Sequence, residues 1–176
     1  MSEPRWLSDD EQQVWRDFSM ATTMLQAHLE GQLQHESGMP HTYYEVLVSL
    51  SEAEGRRLRM SELAAVRSSS RSRLSHAVAR LEAKGWVRRE SCPTDKRGAW
   101  AVLTDEGFAA LEEAAPGHVE AVRESLFDPL EPGQVAALGE ISAALLNRLR
   151  PRCAAAAAAE EAAGFAAPVV ELPKSG

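Results

Sequence analysis

The chain has 176 residues, 44% of them apolar, two cysteines and a formal net charge of −7. That length and apolar share suit one globular domain with extended arms, and no apolar run nears the roughly 20 residues that span a bilayer. The opening residues, Met1-Ser-Glu-Pro-Arg-Trp, lack the basic start and apolar stretch of a secretory signal, so a cytoplasmic chain with no membrane contact is expected, and Cys92 and Cys153 make no disulfide framework or metal-type spacing.

Ser8-x-x-Glu11 is a capping-box pattern, in which hydroxyl and carboxylate each satisfy an orphan backbone donor. Val14, Phe18, Ala21, Leu25, Leu29 and Leu33 follow at steps of three and four, which predicts one long amphipathic helix ending near Gly38. Thr42-x-x-Glu45 is a second capping box, expected to open a short helix with Tyr43, Val46, Leu47 and Leu50 on its buried side and Glu54-Gly55 at its close. Ser61 is expected to cap another short helix over 62–66, with Glu62 where the helix dipole favours an anion. Ser68-Ser69-Ser70 marks the next turn and cap. Leu74, Ala77, Val78 and Leu81 form the apolar face of the helix that follows, and Gly85 stops it.

Residues 86–91 and 99–103 read as two short strands, joined through Pro93-Thr94-Asp95-Lys96-Arg97-Gly98 into a hairpin with an exposed basic tip. Thr104 caps a helix beginning Asp105-Glu106. Its stripe, Phe108, Leu111, Ala115, Val119, Val122 and Leu126, passes straight through Pro116-Gly117. An internal proline costs about 3 kcal/mol, but the spacing survives on both sides, so one kinked helix is expected rather than two. After a loop over 128–133, Val135, Leu138, Ile141, Leu145 and Leu149 make the last strong helix. Beyond Pro151 the composition collapses to alanine with no stripe to bury. A mobile tail is expected, with helix formed by alanine propensity alone as the alternative.

Charge is spread unevenly over these elements. Residues 55–100 hold twelve Arg and Lys against four carboxylates, a local +8, while the remainder carries −15. A block concentrated against the overall trend is the footprint of a protein that meets a polyanion, although a solvated helix face would carry the same charge. The arrangement favours the polyanion. With Leu74, Val78 and Leu81 facing inward, the opposite face holds Ser69, Ser72, Ser75, His76, Ala79, Arg80 and Ala83, flanked by Arg73. Small hydroxyls let a backbone approach a groove, and arginine reaches guanine edges or phosphates. Short helix, turn, amphipathic helix and basic-tipped hairpin is the order of a winged helix-turn-helix.

The runs Arg59-Met60-Ser61-Glu62-Leu63-Ala64, then 70–85 from Ser70-Arg71-Ser72 to Lys84-Gly85, then Asp95-Lys96-Arg97-Gly98 and Leu103-Thr104-Asp105-Glu106-Gly107 resemble the MarR family of bacterial winged-helix transcriptional regulators, the actinobacterial members most of all. The likeness covers roughly residues 8–150, and its most specific part is the D-x-R-G wing followed by L-T-x-x-G. It implies a mainly α fold with a two- to three-stranded β wing, and a homodimer on a pseudo-palindromic double-stranded DNA site. It also implies an N-terminal dimerisation helix (1–41), a DNA-binding domain (42–104) and C-terminal dimerisation helices (105–150), while the alanine-rich tail (151–176) has no counterpart in the family pattern. By the same resemblance the DNA contacts fall on Ser70, Arg71, Ser72, Arg73, Ser75, His76, Arg80, Asp95, Lys96 and Arg97. Arg97 would enter the minor groove, where a narrow groove concentrates negative potential. Asp95 would hold the wing through an arginine, and Arg80 would touch the DNA backbone or brace Asp95. Many family members have arginine where this chain has His76, a weaker and pH-dependent phosphate partner.

No catalytic grouping stands out, and neither enzyme activity nor a cofactor is expected. His28 and His35 lie about 10 Å apart by helical rise, too far to share one metal ion. A small aromatic or phenolic effector, as many relatives bind, is expected against Trp15, Met24, His28, Met39, His41, Tyr43 and Tyr44. Simple packing of a helix junction accounts for those residues equally well. The rival readings are a winged helix used only for protein interaction, and a variant of the regulator answering to metal or to oxidation of Cys92.

Overall fold

The computed structural model describes residues 3–66, 71–92 and 95–164, those at 66, 71, 92, 95–98 and 151–164 by backbone alone. Helix α1 (Asp9–Ser37) opens on the expected capping box, with both the Ser8 and Glu11 halves formed. It ends at Gly38, whose left-handed φ of 61° lets its N–H reach back to the carbonyls of Gln34 and Leu33. Only Leu29 and Leu33 of its stripe are buried.

Helix α2 (His41–Ser51) begins one residue before the predicted cap. Pro40 stands at the cap position with no side-chain bond, and the Glu30 carboxylate of α1 accepts from the His41 N–H at 3.0 Å, so the Thr42 capping box does not form. Strand β1 (Arg57–Arg59) supplies the third strand of the two to three expected; the sequence pattern did not place it, because Arg-Leu-Arg is too short to show a period. It feeds directly into α3 (Met60–Val66), which places Ser61 inside the helix rather than at its cap. The Glu62 carboxylate instead accepts from the Arg59 N–H at 3.0 Å. Helix α4 (Arg71–Ala83) follows; the serine cap expected at 68–70 lies outside the described residues.

Strands β2 (Val87–Cys92) and β3 (Asp95–Leu103) make the hairpin, and the three strands form an antiparallel sheet in the order β1-β3-β2. The register skips between Ser91 and Cys92, so Asp95–Gly98 belong to a strand rather than to the wide turn expected there. Helix α5 (Asp105–Val122) runs through Pro116 as one element and passes into a π turn over Arg123–Phe127. Its buried line is Gly107, Leu111, Ala114, His118 and Ala121; Val119, expected inside, is 54% exposed. Helix α6 (Pro132–Gly164) continues through Pro151 into the alanine segment.

One core joins these parts. Leu33 and Met39 meet Val46, Leu47 and Leu50 of α2, Leu63 of α3, Leu74, Val78 and Leu81 of α4, and Val87, Ala101 and Leu103 of the sheet. Helix α6 takes no part: every residue from 139 to 150 is exposed. Among the described residues no helix is long and apolar enough to cross a membrane, and no buried side-chain polar atom lacks a hydrogen-bond partner.

Candidate nucleic-acid interface

Helix α4 is oriented as its period requires. Leu74, Ala77, Val78 and Leu81 are buried, while Ser72, Arg73, His76, Ala79 and Arg80 are exposed. Ser75 is half-buried because Arg89 of β2 reaches it. The helix is set against the sheet by a tight connection. Gly85 takes φ 74°, the Trp86 N–H returns to the Leu81 carbonyl at 3.0 Å, and Thr104 Oγ1 donates to the Gly85 carbonyl at 2.7 Å.

Thr104 serves both ends of the hairpin. Its N–H donates to the Trp86 carbonyl at 3.1 Å, and its hydroxyl oxygen accepts from the Gly107 N–H at 3.0 Å to cap α5. Gly107 passes so close that a Cβ there would collide with the Trp86 carbonyl oxygen and lie 2.9 Å from Leu103 Cδ1. The L-E-x-x-G and L-T-x-x-G runs are thus one junction, and their spacing is fixed by it. The wing springs from that junction. Asp95, Lys96 and Arg97 lie on β3, but their side chains, like those of Ser70 and Arg71, are outside the described ones.

Several cations of the +8 block are engaged within the chain. Arg56, in a left-handed conformation at φ 51°, pairs with Asp105 at 3.3 Å and stacks 3.7 Å over the Phe108 ring. Arg88 pairs with Glu90, and Arg89 lies 3.2 Å from Glu82. Arg57 and Arg59 flank Trp100 at 5.0 and 5.3 Å on the sheet face away from α4. The cleft beside Trp100, about 690 Å³, is charge-balanced, with Arg57 and Arg88 against Glu54 and Glu90.

The residues considered for an effector separate into two groups. Trp15, Met24 and His28 are exposed along α1, and Trp15 lies in a shallow hollow with Trp6, Leu7 and Arg16. Tyr44 and Met39 are buried, and His41 and Tyr43 half-buried, around the start of α2. There the structure adds His118, which the sequence reading passed over. Its ring is 4.4 Å from that of Tyr44 and 5.4 Å from that of His41, and its Nδ1 is 3.4 Å from Gln32 Oε1. Burial, and then the neighbouring His41, lower its pKa; burial raises that of Tyr44. The 4-3-4-3 spacing of 107, 111, 114, 118 and 121 was the available signal, hidden by a polar residue in the line. Among the described residues no three His, Cys, Asp or Glu are grouped to hold a metal ion.

A short helix, an exposed serine-arginine helix and a hairpin wing on one core, with long helices at both ends, define a winged helix-turn-helix regulator. The comparisons agree. A family model described as the MarR family matches residues 37–98. Sco3205, a MarR family transcriptional regulator from Streptomyces coelicolor solved in complex with DNA, is 57% identical with a TM-score of 0.81, over 85% of this chain and 93% of that one. AbsC, a MarR family regulator of the same organism, is 42% identical with a TM-score of 0.80, over 84% and 99%. The transcriptional repressor MprA of Escherichia coli is 29% identical over 112 residues, 64% of this chain and 63% of that protein. The chain belongs to the MarR family of transcriptional regulators, which is not a family of enzymes.

Proposed function

We propose that two copies of this chain bind a pseudo-palindromic DNA site and thereby regulate transcription in the cytoplasm. Each copy presents α4 to the major groove and its β2–β3 wing to the adjoining minor groove. The observation that carries this reading is the division of α4 into a fully apolar buried side and an exposed side of Ser72, Arg73, His76, Ala79 and Arg80. A protein-docking helix would show large apolar residues outward, since charged groups are depleted at the heart of such interfaces. The DNA complex of Sco3205 supports the same reading. The contacts proposed are Ser70, Arg71, Ser72, Arg73, Ser75, His76 and Arg80 from the helix region, with Asp95, Lys96 and Arg97 from the wing.

The test is a titration of duplex from upstream of the protein's own gene across a salt series. Each neutralised phosphate should contribute a slope of about −0.9 in log K against log salt. A flat response, or no binding, would overturn the reading. The ring cluster of His41, Tyr44 and His118 favours one addition, relief of DNA binding by a small aromatic or phenolic effector held where α1, α2 and α5 meet. Release of bound duplex by salicylate-like acids, abolished in Tyr44→Ala but not in Trp6→Ala, would support it.

A further inference from the structure

We propose that Arg89 and Glu82 form a positioning pair that sets α4 relative to the wing, a role separate from touching DNA. The proposal rests on the DNA-binding reading above. Arg89 stands opposite Ala101, which is wholly buried, so it belongs to the sheet face that packs on α4. Its Nε lies 3.2 Å from Glu82 Oε2, and Nη2 donates to the Ser75 carbonyl at 2.9 Å, with Ser75 Oγ at 3.4 Å. The second Glu82 oxygen accepts from the backbone N–H of Arg89 at 3.1 Å. Both oxygens of one carboxylate are therefore engaged by a single residue.

Ser75 and Glu82 are seven residues apart, about 10 Å along the helix. One side chain thus grips α4 at its middle and its last turn. Both partners are about two-thirds covered, with side-chain exposures of 34% and 31%, so the pair is only partly open to salt and water. Ser75 adjoins the exposed His76, and Glu82 follows Arg80 by two residues. A change in this grip therefore moves the groove-facing residues relative to the wing. Guanidinium suits the task because its planar fork meets a carboxylate and a carbonyl together, which an ammonium point charge does not.

The test uses the full chain with Arg89→Gln, Arg89→Lys, Glu82→Gln and the Arg89→Gln/Glu82→Gln double variant, titrated with duplex over a salt series. A positioning pair predicts about tenfold weaker binding for each single variant, Arg89→Lys included, and a double variant no worse than the weaker single. The salt slope should stay at the wild-type value. A direct phosphate contact predicts the opposite: rescue by Arg89→Lys, a slope smaller by about 0.9 per protomer in Arg89→Gln, and tighter binding by Glu82→Gln. Any of those would overturn the proposal, as would lowered thermal stability with unchanged affinity. Amide exchange at Arg89 without DNA reads the pair alone, protected in the wild type and faster in Glu82→Gln. Protection as expected in a wild type that binds no duplex would count against the DNA-binding reading and leave the pair standing.

Discussion

Gly107 carries a steric constraint that no larger residue meets, because a Cβ there would strike the Trp86 backbone rather than a movable side chain. Gly107→Ala should therefore destabilise the fold by about 1–3 kcal/mol, the usual range for overpacking. Urea unfolding would show it as a lower midpoint at unchanged slope; an unshifted midpoint would contradict the close approach. His118 makes a different prediction. Burial and His41 hold its folded pKa below the ordinary imidazole value of about 6.5. As pH falls, the unfolded chain takes up this proton first. The contribution to stability is whole above about pH 6.5 and is lost as pH drops below it toward the depressed value. Unfolding midpoints measured between about pH 5 and 7.5 should fall less steeply on acidification in His118→Gln. Parallel curves would mean that another group governs the acid response.

Among the elements, α4 and the strand ends divide the cations into those turned outward and those engaged at home. Arg56 is held by Asp105 and Phe108, and Asp105 is 99% exposed, so this ion pair is worth at most about 1 kcal/mol. Arg56→Ala should leave DNA affinity unchanged. Arg80→Ala, on the exposed side of α4, should weaken it about tenfold and lower the salt slope by about 0.9 per protomer. Fluorescence anisotropy on one labelled duplex compares the two directly, and equal losses would refute the division. Helix α5 shows how elements approach without a gap: at Gly117 a Cβ would run into the Glu36 carboxylate and lie 3.1 Å from Gln32 Nε2 of α1.

For the whole molecule, the apolar surface left open is the chief fact. Val14, Trp15 and Phe18 on α1 are 68%, 59% and 45% exposed, and Ile141, Leu145 and Leu149 on α6 are 55%, 43% and 48% exposed. Isolated monomers rarely leave contiguous patches of that kind uncovered. In the proposed dimer a second copy would cover them by symmetry and set two α4 helices about one DNA turn apart, roughly 34–36 Å. Sedimentation of the full chain at micromolar concentration should show a dimer. A chain cut before α6 should sediment as a monomer and lose most of its DNA affinity; a monomeric full-length protein would refute this architecture.

What the sequence determined by itself is whatever repeats within one element. The α1 cap and stop, the sidedness of α4, the hairpin and the passage of α5 through Pro116 were all legible, because helix period and capping depend on neighbours within a few residues. The apolar stripes of α1 and α6 were legible too. The tertiary structure alone decided what depends on residues far apart in the chain. Glu30 of α1 displaces the Thr42 cap, β3 recruits the three residues of β1, and the line through His118 turns α5 away from its expected face. The same holds for charge. Sequence counts Arg56 and Arg89 with the other cations of the basic block, but only the packing of α5 and β2 brings Asp105 and Glu82 beside them. A cation's availability is set by the carboxylate that folding carries to it, and no local period encodes that distance.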